Sequence, residues 1–340
     1  MAVTLSDIAK KANVSKTTVS RVLNDQKSKI PISKDTRKKV LKIARELDYR
    51  PNINARALSM KKSYMLGLII DDILDPFFNE VIKGAEKYSR DNGYRLILST
   101  ADDEPIEKVM EVLLNCSAVE GILIGGTKKL IRNKEIIEKI NNKGVPVVLV
   151  ANSLGEIPSI NIDNFKGGYM ATDYLVSLGY KKIAIITEPE FEASTREDSR
   201  ERLNGYKKAL SANNIEISNK YIIKGNFSYE SGYLAMKQFI ELNKPPDAVF
   251  ACDDQMALGA ISAANEAGKK VPEDMSVIGF DNIIQAEYSS PKLTTIGQPR
   301  IAMGGRAAKL LIDLTEEKEI KKKRIVFNPE LIERNSCKSS

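Results

Sequence analysis

The 340-residue chain contains no histidine, no tryptophan and only three cysteines, and each shortage narrows what it can be. Without histidine it lacks the side chain that most often serves as a general base near neutral pH and as a metal ligand. Catalysis and a metal centre lose ground, and no cofactor is expected. Cys116, Cys252 and Cys337 are odd in number and far apart, which fits neither a disulfide framework nor a zinc knuckle. The first two are expected to be buried as small hydrophobes. No apolar run approaches the roughly 20 residues that span a bilayer, and Asp7, Lys10 and Lys11 stand where a secretory leader would be apolar. The expectation is a cytoplasmic protein that is not an enzyme, long enough for two or three domains with cores of their own.

Charge is abundant but uneven. Of the 52 basic residues 16 fall between Met1 and Lys62, against 5 of the 45 acidic ones, which leaves 36 against 40 in the remainder. A strongly basic head on a mildly acidic body is how a nucleic-acid-binding module joined to a domain with another task should look, since only the head meets phosphate.

That head reads as three helices. Thr4 with Asp7 forms a capping-box pattern before an apolar face of Leu5, Ile8, Ala9 and Ala12. Asn13 can take the left-handed conformation that ends the first helix, and Ser15 can cap a second whose inner face is Thr18, Val19, Val22 and Leu23. The second helix turns Lys16, Thr17, Ser20 and Arg21 outward, short donors and a guanidinium suited to base edges and phosphates. Pro31 disfavours helix for Ile30, after which Ser33 or Asp35 caps a third helix to about Leu47 with Thr36, Val40, Ile43, Ala44 and Leu47 inward. Beyond Tyr49-Arg50-Pro51-Asn52, the segment Ile53 to Leu58 has good helix formers but is too short to hold a helix alone in water. It is expected to fold when two copies meet on DNA, with Leu58 as an apolar wedge into the minor groove.

From Met65 the texture changes to apolar strands alternating with amphipathic helices. Strands are expected at Leu66 to Ile70, Arg95 to Ser99, Gly121 to Ile124 and Val145 to Val150, with helices at Phe77 to Asp91, Pro105 to Leu114 and Lys134 to Asn142. A second set has strands at Lys182 to Thr187, Tyr221 to Ile223, Ala248 to Ala251 and Ser276 to Gly279. Its helices lie near Lys166 to Leu178, Arg200 to Ala212, Tyr229 to Leu242 and Met256 to Ala267. Alternation of this kind demands mostly parallel sheets covered on both faces, and two such layers enclose a cleft. The tail from Leu293 to Pro299 should be extended, Ile301 to Leu314 helical, and Ile325 to Glu333 a last strand. The end carries no leucine heptads that would join dimers into tetramers.

With these residues in order the chain resembles the LacI/GalR family of bacterial transcription regulators over nearly its whole length. The marks are Thr4-Leu5-Ser6-Asp7-Ile8-Ala9 with Val14-Ser15, Thr18-Val19-Ser20-Arg21-Val22-Leu23-Asn24, Tyr49-Arg50-Pro51-Asn52 with Ala55-Arg56 and Leu58, Asp75-Pro76-Phe77-Phe78, Asp253 to Gly259, and Gly279-Phe280-Asp281. The resemblance implies a small all-α helix-turn-helix headpiece (1–48), a hinge (49–62) and an α/β body (63–340) like periplasmic sugar-binding proteins. The body's two parallel-sheet subdomains are expected at about 63–161 plus 292–323 and 162–291 plus 324–340. It also implies a homodimer on a pseudo-palindromic operator, with DNA contacts from Thr4, Ser15, Lys16, Thr17, Ser20, Arg21, Asn24, Tyr49, Asn54, Ala55, Arg56 and Leu58. The family's effector positions fall on Phe78, Arg202, Phe227, Asp253 and Asp281, joined by Asp72 and Asn152. The chain departs from many relatives at two places. Asp71-Asp72-Ile73-Leu74-Asp75 replaces Pro-Asp-Ile-Ser-Asn, and Ala151-Asn152 replaces Asp-Arg.

The function so implied is sequence-specific DNA binding, repressing carbohydrate-utilisation genes and switched by a small sugar-like effector. Within regulation a purine corepressor or a controlling protein partner stays open, because an arginine, aspartates and aromatic rings suit a heterocycle as well as vicinal hydroxyls. An α/β sugar-modifying enzyme with a DNA-binding appendage finds little support. Gly125-Gly126-Thr127-Lys128 lacks phosphate-loop spacing, and acid pairs at strand ends in a cleft more often accept hydroxyl hydrogen bonds than transfer protons.

Overall fold

The computed structural model describes residues 3–23, 32–49, 62–101, 105–115, 119–126, 144–187 and 197–338. The chain divides into two compact units, Met1–Ser63 and Tyr64–Ser340. In the first, helices α1 (Leu5–Ala12), α2 (Lys16–Leu23) and α3 (Lys34–Glu46) close over Ile8, Ala9, Ala12, Val19, Val22, Val40, Ile43 and Ala44. The capping box forms as the pattern requires: Thr4 Oγ1 accepts from the Asp7 amide, and the Asp7 carboxylate accepts from the Thr4 amide at 2.9 Å. Asn13, at φ 54°, ends α1. Ser33, rather than Asp35, caps α3 through the Thr36 amide at 3.1 Å. The eight buried residues among those described make a small core, so this unit is stabilised only modestly.

The body opens with β1 (Met65–Ile70), α4 (Pro76–Asp91), β2 (Arg95–Thr100), α5 (Ile106–Asn115), β3 (Gly121–Gly125), β4 (Val147–Val150) and β5 (Ser159–Ile162). It continues with α6 (Asn164–Ser177), β6 (Ile183–Thr187), α7 (Glu197–Ala212), β7 (Ile222–Lys224), α8 (Tyr229–Ile240), β8 (Ala248–Ala251), α9 (Asp254–Glu266) and β9 (Ser276–Asp281). It ends with α10 (Ile284–Tyr288), β10 (Thr294–Gly297), α11 (Arg300–Thr315), β11 (Arg324–Phe327) and β12 (Glu330–Ile332). Two six-stranded sheets result, in the orders β11-β5-β4-β3-β1-β2 and β12-β10-β9-β8-β6-β7. Among the described residues every pairing is parallel except β10 with β12. Central strands such as β3, β6 and β8 are buried along their whole length, as sheets covered on both faces require.

The strands foreseen from apolar runs are present, with ends shifted by one or two residues, but three expectations change. Ser159–Ile162 is a strand although no continuous apolar run marks it. Thr294–Gly297 joins β9 and β12 in the second sheet, and Arg324–Phe327 joins β5 in the first, so the expected boundaries at 291/292 and 323/324 are displaced. The single last strand foreseen from Ile325 to Glu333 is two strands in different sheets, broken at Asn328-Pro329, where proline has no N–H to continue the ladder. The chain therefore passes between the sheets three times, at Asp163, at Gln298-Pro299 and at Asn328-Pro329. The helix foreseen at Lys134 to Asn142 lies outside the described residues.

Helices cross closely where glycine permits. A Cβ on Gly84 would run into the Ile301 carbonyl and one on Gly304 into that of Val81, which brings α4 against α11; Gly168 meets the backbone of Arg202 in the same way, bringing α6 against α7. The second crossing bears on function, because it seats Arg202 beside Asn164.

Candidate nucleic-acid interface and ligand cleft

In the headpiece Ser15 caps α2, its Oγ accepting from the Thr18 amide at 3.1 Å and sharing a hydrogen bond with Thr18 Oγ1 at 2.8 Å. The cap leaves Lys16 and Thr17 exposed on the first turn, with Ser20 and Arg21 half-buried one turn on. Two expected contacts prove to have local work. The Thr4 hydroxyl is engaged with Asp7 at 2.7 Å, and Tyr49 packs half-buried against the headpiece core, burial pushing its phenol up. Asn24, Asn54, Ala55, Arg56 and Leu58 lie outside the described residues.

In the body a cavity of about 540 Å³ opens between the two sheets, at the carboxyl ends of their strands, the usual place for a ligand in a parallel α/β fold. The first subdomain contributes Asp71 and Asp72 after β1, Asp75, Phe77 and Phe78 at the start of α4, and Ala151 after β4. The second contributes Asn164 from α6, Arg202 from α7, Phe227 before α8, Asp253 after β8 and Asp281 at the end of β9. Six of the seven expected effector residues thus come together from distant parts of the chain. Asn152 does not. It is buried, its Oδ1 accepting from the Ser153 amide at 2.8 Å and its carbonyl accepting from Asn161 Nδ2 at 3.0 Å, while Ala151, at φ 53°, occupies the wall in its place. Residues not foreseen there include Asn164, Asn226, Ser228, Tyr229 and Gln255.

Arg202 organises the second wall. Its Nε donates to Asn164 Oδ1 at 2.8 Å, its Nη1 donates to the Cys252 carbonyl, and its guanidinium lies 3.8 Å from the centroid of the Phe280 ring. Nη2 stands 3.9 Å from Asp281 Oδ1. Asp281 accepts a further hydrogen bond from Gln298 Nε2 at 2.6 Å. Burial pushes its carboxyl up to about 6, against the opposing pull of Arg202 and Arg300. Asp253 spends one oxygen capping α9, accepting from the Met256 amide at 2.7 Å; burial, reinforced by the Asp281 charge, holds its carboxyl well above the usual range. Asp254 beside it faces the core rather than the cavity. It accepts from Thr295 Oγ1 at 2.6 Å and the Ile283 amide at 2.8 Å, and burial raises it to about 8.

Several lining residues hold a backbone conformation that L side chains seldom adopt: Ala151, Phe227 at φ 66° and Asp281 at φ 108°. Such strain concentrates where surrounding structure must aim a side chain. The wall then presents carboxylate acceptors, a fixed guanidinium fork and aromatic faces, a set that can hold vicinal hydroxyls between flat apolar surfaces. Cys252 and Cys337 are buried, and Cys116 is outside the described residues. No helix among the described residues is long and apolar enough to cross a membrane.

Comparison with known proteins agrees with both units. Residues 4–52 match the family described as bacterial regulatory proteins, lacI family, and residues 172–337 match the periplasmic binding protein-like domain. The chain is 37% identical to the HTH-type transcriptional repressor CytR of Escherichia coli (strain K12), over 99% of this chain and 97% of that protein. Among solved structures it resembles the Lac repressor dimer bound to operator and the anti-inducer ONPF, at TM-score 0.84 and 28% identity over 99% of this chain and 100% of that one. It also resembles the transcriptional regulator CelR in complex with cellobiose, at TM-score 0.73 and 30% identity over 98% and 99%. The chain therefore belongs to the LacI family and is a DNA-binding transcription regulator.

Proposed function

We propose that this regulator represses carbohydrate-utilisation genes as a homodimer, and that a small sugar or sugar derivative in the body cleft changes its affinity for operator. The observation that carries the effector reading is the second wall, where Arg202 is fixed between Asn164 and Asp281 with Asp253 alongside and the rings of Phe78 and Phe227 flanking the cavity. The cellobiose complex of one structural relative supports the sugar class, and the dimer of another supports two headpieces meeting one operator. Lys16 and Thr17 would choose bases from the major groove, and Arg21 would add base and phosphate contacts.

The test is a calorimetric screen with ribose, hexoses, cellobiose, sugar phosphates and purines, followed by operator titrations with and without whatever binds. Arg202→Ala should abolish the ligand-dependent change in operator affinity and leave ligand-free affinity near the parent's. An Arg202→Ala protein that retained the parent's ligand dependence would show that the site is elsewhere. Purine binding without sugar binding would move the reading to corepression.

A further inference from the structure

Arg300 is the first residue of α11, immediately after the chain's second passage between the sheets, and only 3% of its side chain is exposed. Its guanidinium reaches both halves of the body. On the side of the first sheet Nη1 donates to the Pro76 carbonyl at 3.4 Å and Nη2 pairs with the Glu80 carboxylate at 3.0 Å. On the side of the second sheet Nη2 donates to the Asn282 carbonyl at 2.6 Å. Each backbone gripped lies next to a cavity wall: Pro76 precedes Phe77 and Phe78, and Asn282 follows Asp281.

Asn282 is itself closely held. Its amide donates to Thr295 Oγ1 at 3.4 Å, and its side-chain oxygen accepts from Arg334 Nη2 at 2.7 Å. It and Asp281 both lie at positive φ, so the turn that aims Asp281 into the cavity keeps its shape only while its partners hold it. Two buried groups at the same passage lack hydrogen-bond partners among the described residues. Arg300 Nε has no acceptor, and Gln298 Oε1, two residues earlier, has no donor. They are chemically complementary, one a donor and the other an acceptor.

We propose that Arg300 is a positioning residue that clasps the two walls of the cleft, setting their separation and transmitting occupancy at Asp281 to the first subdomain. A buried guanidinium is costly unless paired, and here the carboxylate in ion-pair contact with it, Glu80, stands on α4 while its shortest hydrogen bond crosses to the turn after β9. Neither half can rotate without breaking part of this set. A lysine has no planar fork and could hold only one side. The transmission half of the proposal rests on the cleft being the effector site; the clasp does not.

The experiment measures distances between spin labels at Asn79→Cys on α4 and Glu230→Cys on α8, both exposed and outside the lining. Cys116→Ser would be the background, and labelled chains would be diluted into unlabelled ones so that each dimer carries one pair. Without ligand the parent should show one narrow population. Arg300→Met and Arg300→Lys should lose it to a broad or double one, and Glu80→Gln should shift the same way to a smaller extent. Lys309→Met, which removes an ion pair with Asp313 on the same helix, should match the parent. Glu80→Gln, with its carboxylate half-exposed, decides the matter if the Arg300 variants fail to fold. Ligand-free distances of Arg300→Lys and Glu80→Gln that superimpose on the parent's would overturn the clasp. Addition of ribose or cellobiose should move the parent's distances. If neither these nor any sugar that binds in the calorimetric screen does, the sugar reading and the transmission half fall while the ligand-free comparison still judges the clasp. If Arg300→Lys binds the sugar and shifts as the parent does, transmission through Arg300 is wrong although the sugar reading stands.

Discussion

Asp281→Asn should make the protein more stable at neutral pH while costing it its effector response. Burial raises the Asp281 carboxyl from 3.8 to about 6. Its folded-state value therefore exceeds its unfolded one, so the folded state binds the extra proton. Stability associated with this group is fully present below the unfolded value and is lost as pH rises through about 6. A rise of about 2 pH units is worth about 3 kcal/mol by pH 7.5 and roughly half that at pH 5. Asparagine keeps an oxygen for Gln298 Nε2, now 2.6 Å away, but carries no charge to desolvate. The variant should thus exceed the parent by about 3 kcal/mol at pH 7.5, a net figure in which the pull of Arg202 is already included, and the two should converge near pH 4. Urea unfolding of the body at several pH values reads this directly. A difference independent of pH, or a variant less stable at pH 7.5, would show that Asp281 is compensated by its surroundings and that the cleft stores no such strain.

The remaining expectations concern the headpiece and the packing. If a dimer neutralises on the order of 6 to 10 phosphates, the logarithm of operator affinity should fall with the logarithm of salt at a slope of roughly −5 to −9, and a nearly flat dependence would refute the electrostatic role of the basic head. Randomised-site selection should return different consensus sites for Lys16 and Thr17 variants; an unchanged consensus would remove both from base reading. Gly84→Ala places a methyl group against the Ile301 carbonyl, and the body should lose about 1–3 kcal/mol or more because backbone, unlike a side chain, cannot move aside. A thermal melt indistinguishable from the parent's would mean that α4 and α11 cross less tightly than described.

Why the sequence disclosed some of this and concealed the rest follows from which signals are local. Strands buried on both faces are continuous apolar runs, so β1, β3, β6 and β8 could be read directly. β5 could not, because Ser159 and Asn161 interrupt it, and only the fold shows that Asn161 spends its amide on the Asn152 carbonyl and on Ser153 Oγ at 2.6 Å. Helix caps were equally legible, since Thr4, Ser15 and Ser33 each satisfy the amide three residues on. Which sheet a tail strand joins is settled by partners far back in the chain, β5 for Arg324–Phe327 and β10 for Glu330–Ile332, and Ile325 to Glu333 offered only Pro329 as a hint of the break.

The cleft shows the same division at finer scale. Chain position alone places Asp72, Asp253 and Asp281 at strand ends, where ligands bind, but it does not say which of two neighbours faces the cavity. Asp253 lines it and Asp254 does not, because Asp254 begins α9 and turns into the core to meet Thr295 and the Ile283 amide. Ala151 lines it and Asn152 does not, because the left-handed step at Ala151 turns its neighbour inward. Arg202 was recognisable as a cleft residue, yet Asn164, which holds its Nε, had no signal beyond its place at a helix start. The two are brought together by Gly168, whose missing Cβ lets α6 lie on the backbone of α7. The residues that would touch an effector are thus written in short motifs, and those that aim them are dispersed. Variants at Gly168, Gln298 or Arg300, none of which lines the cavity, should therefore disturb the response to effector without contacting it or DNA.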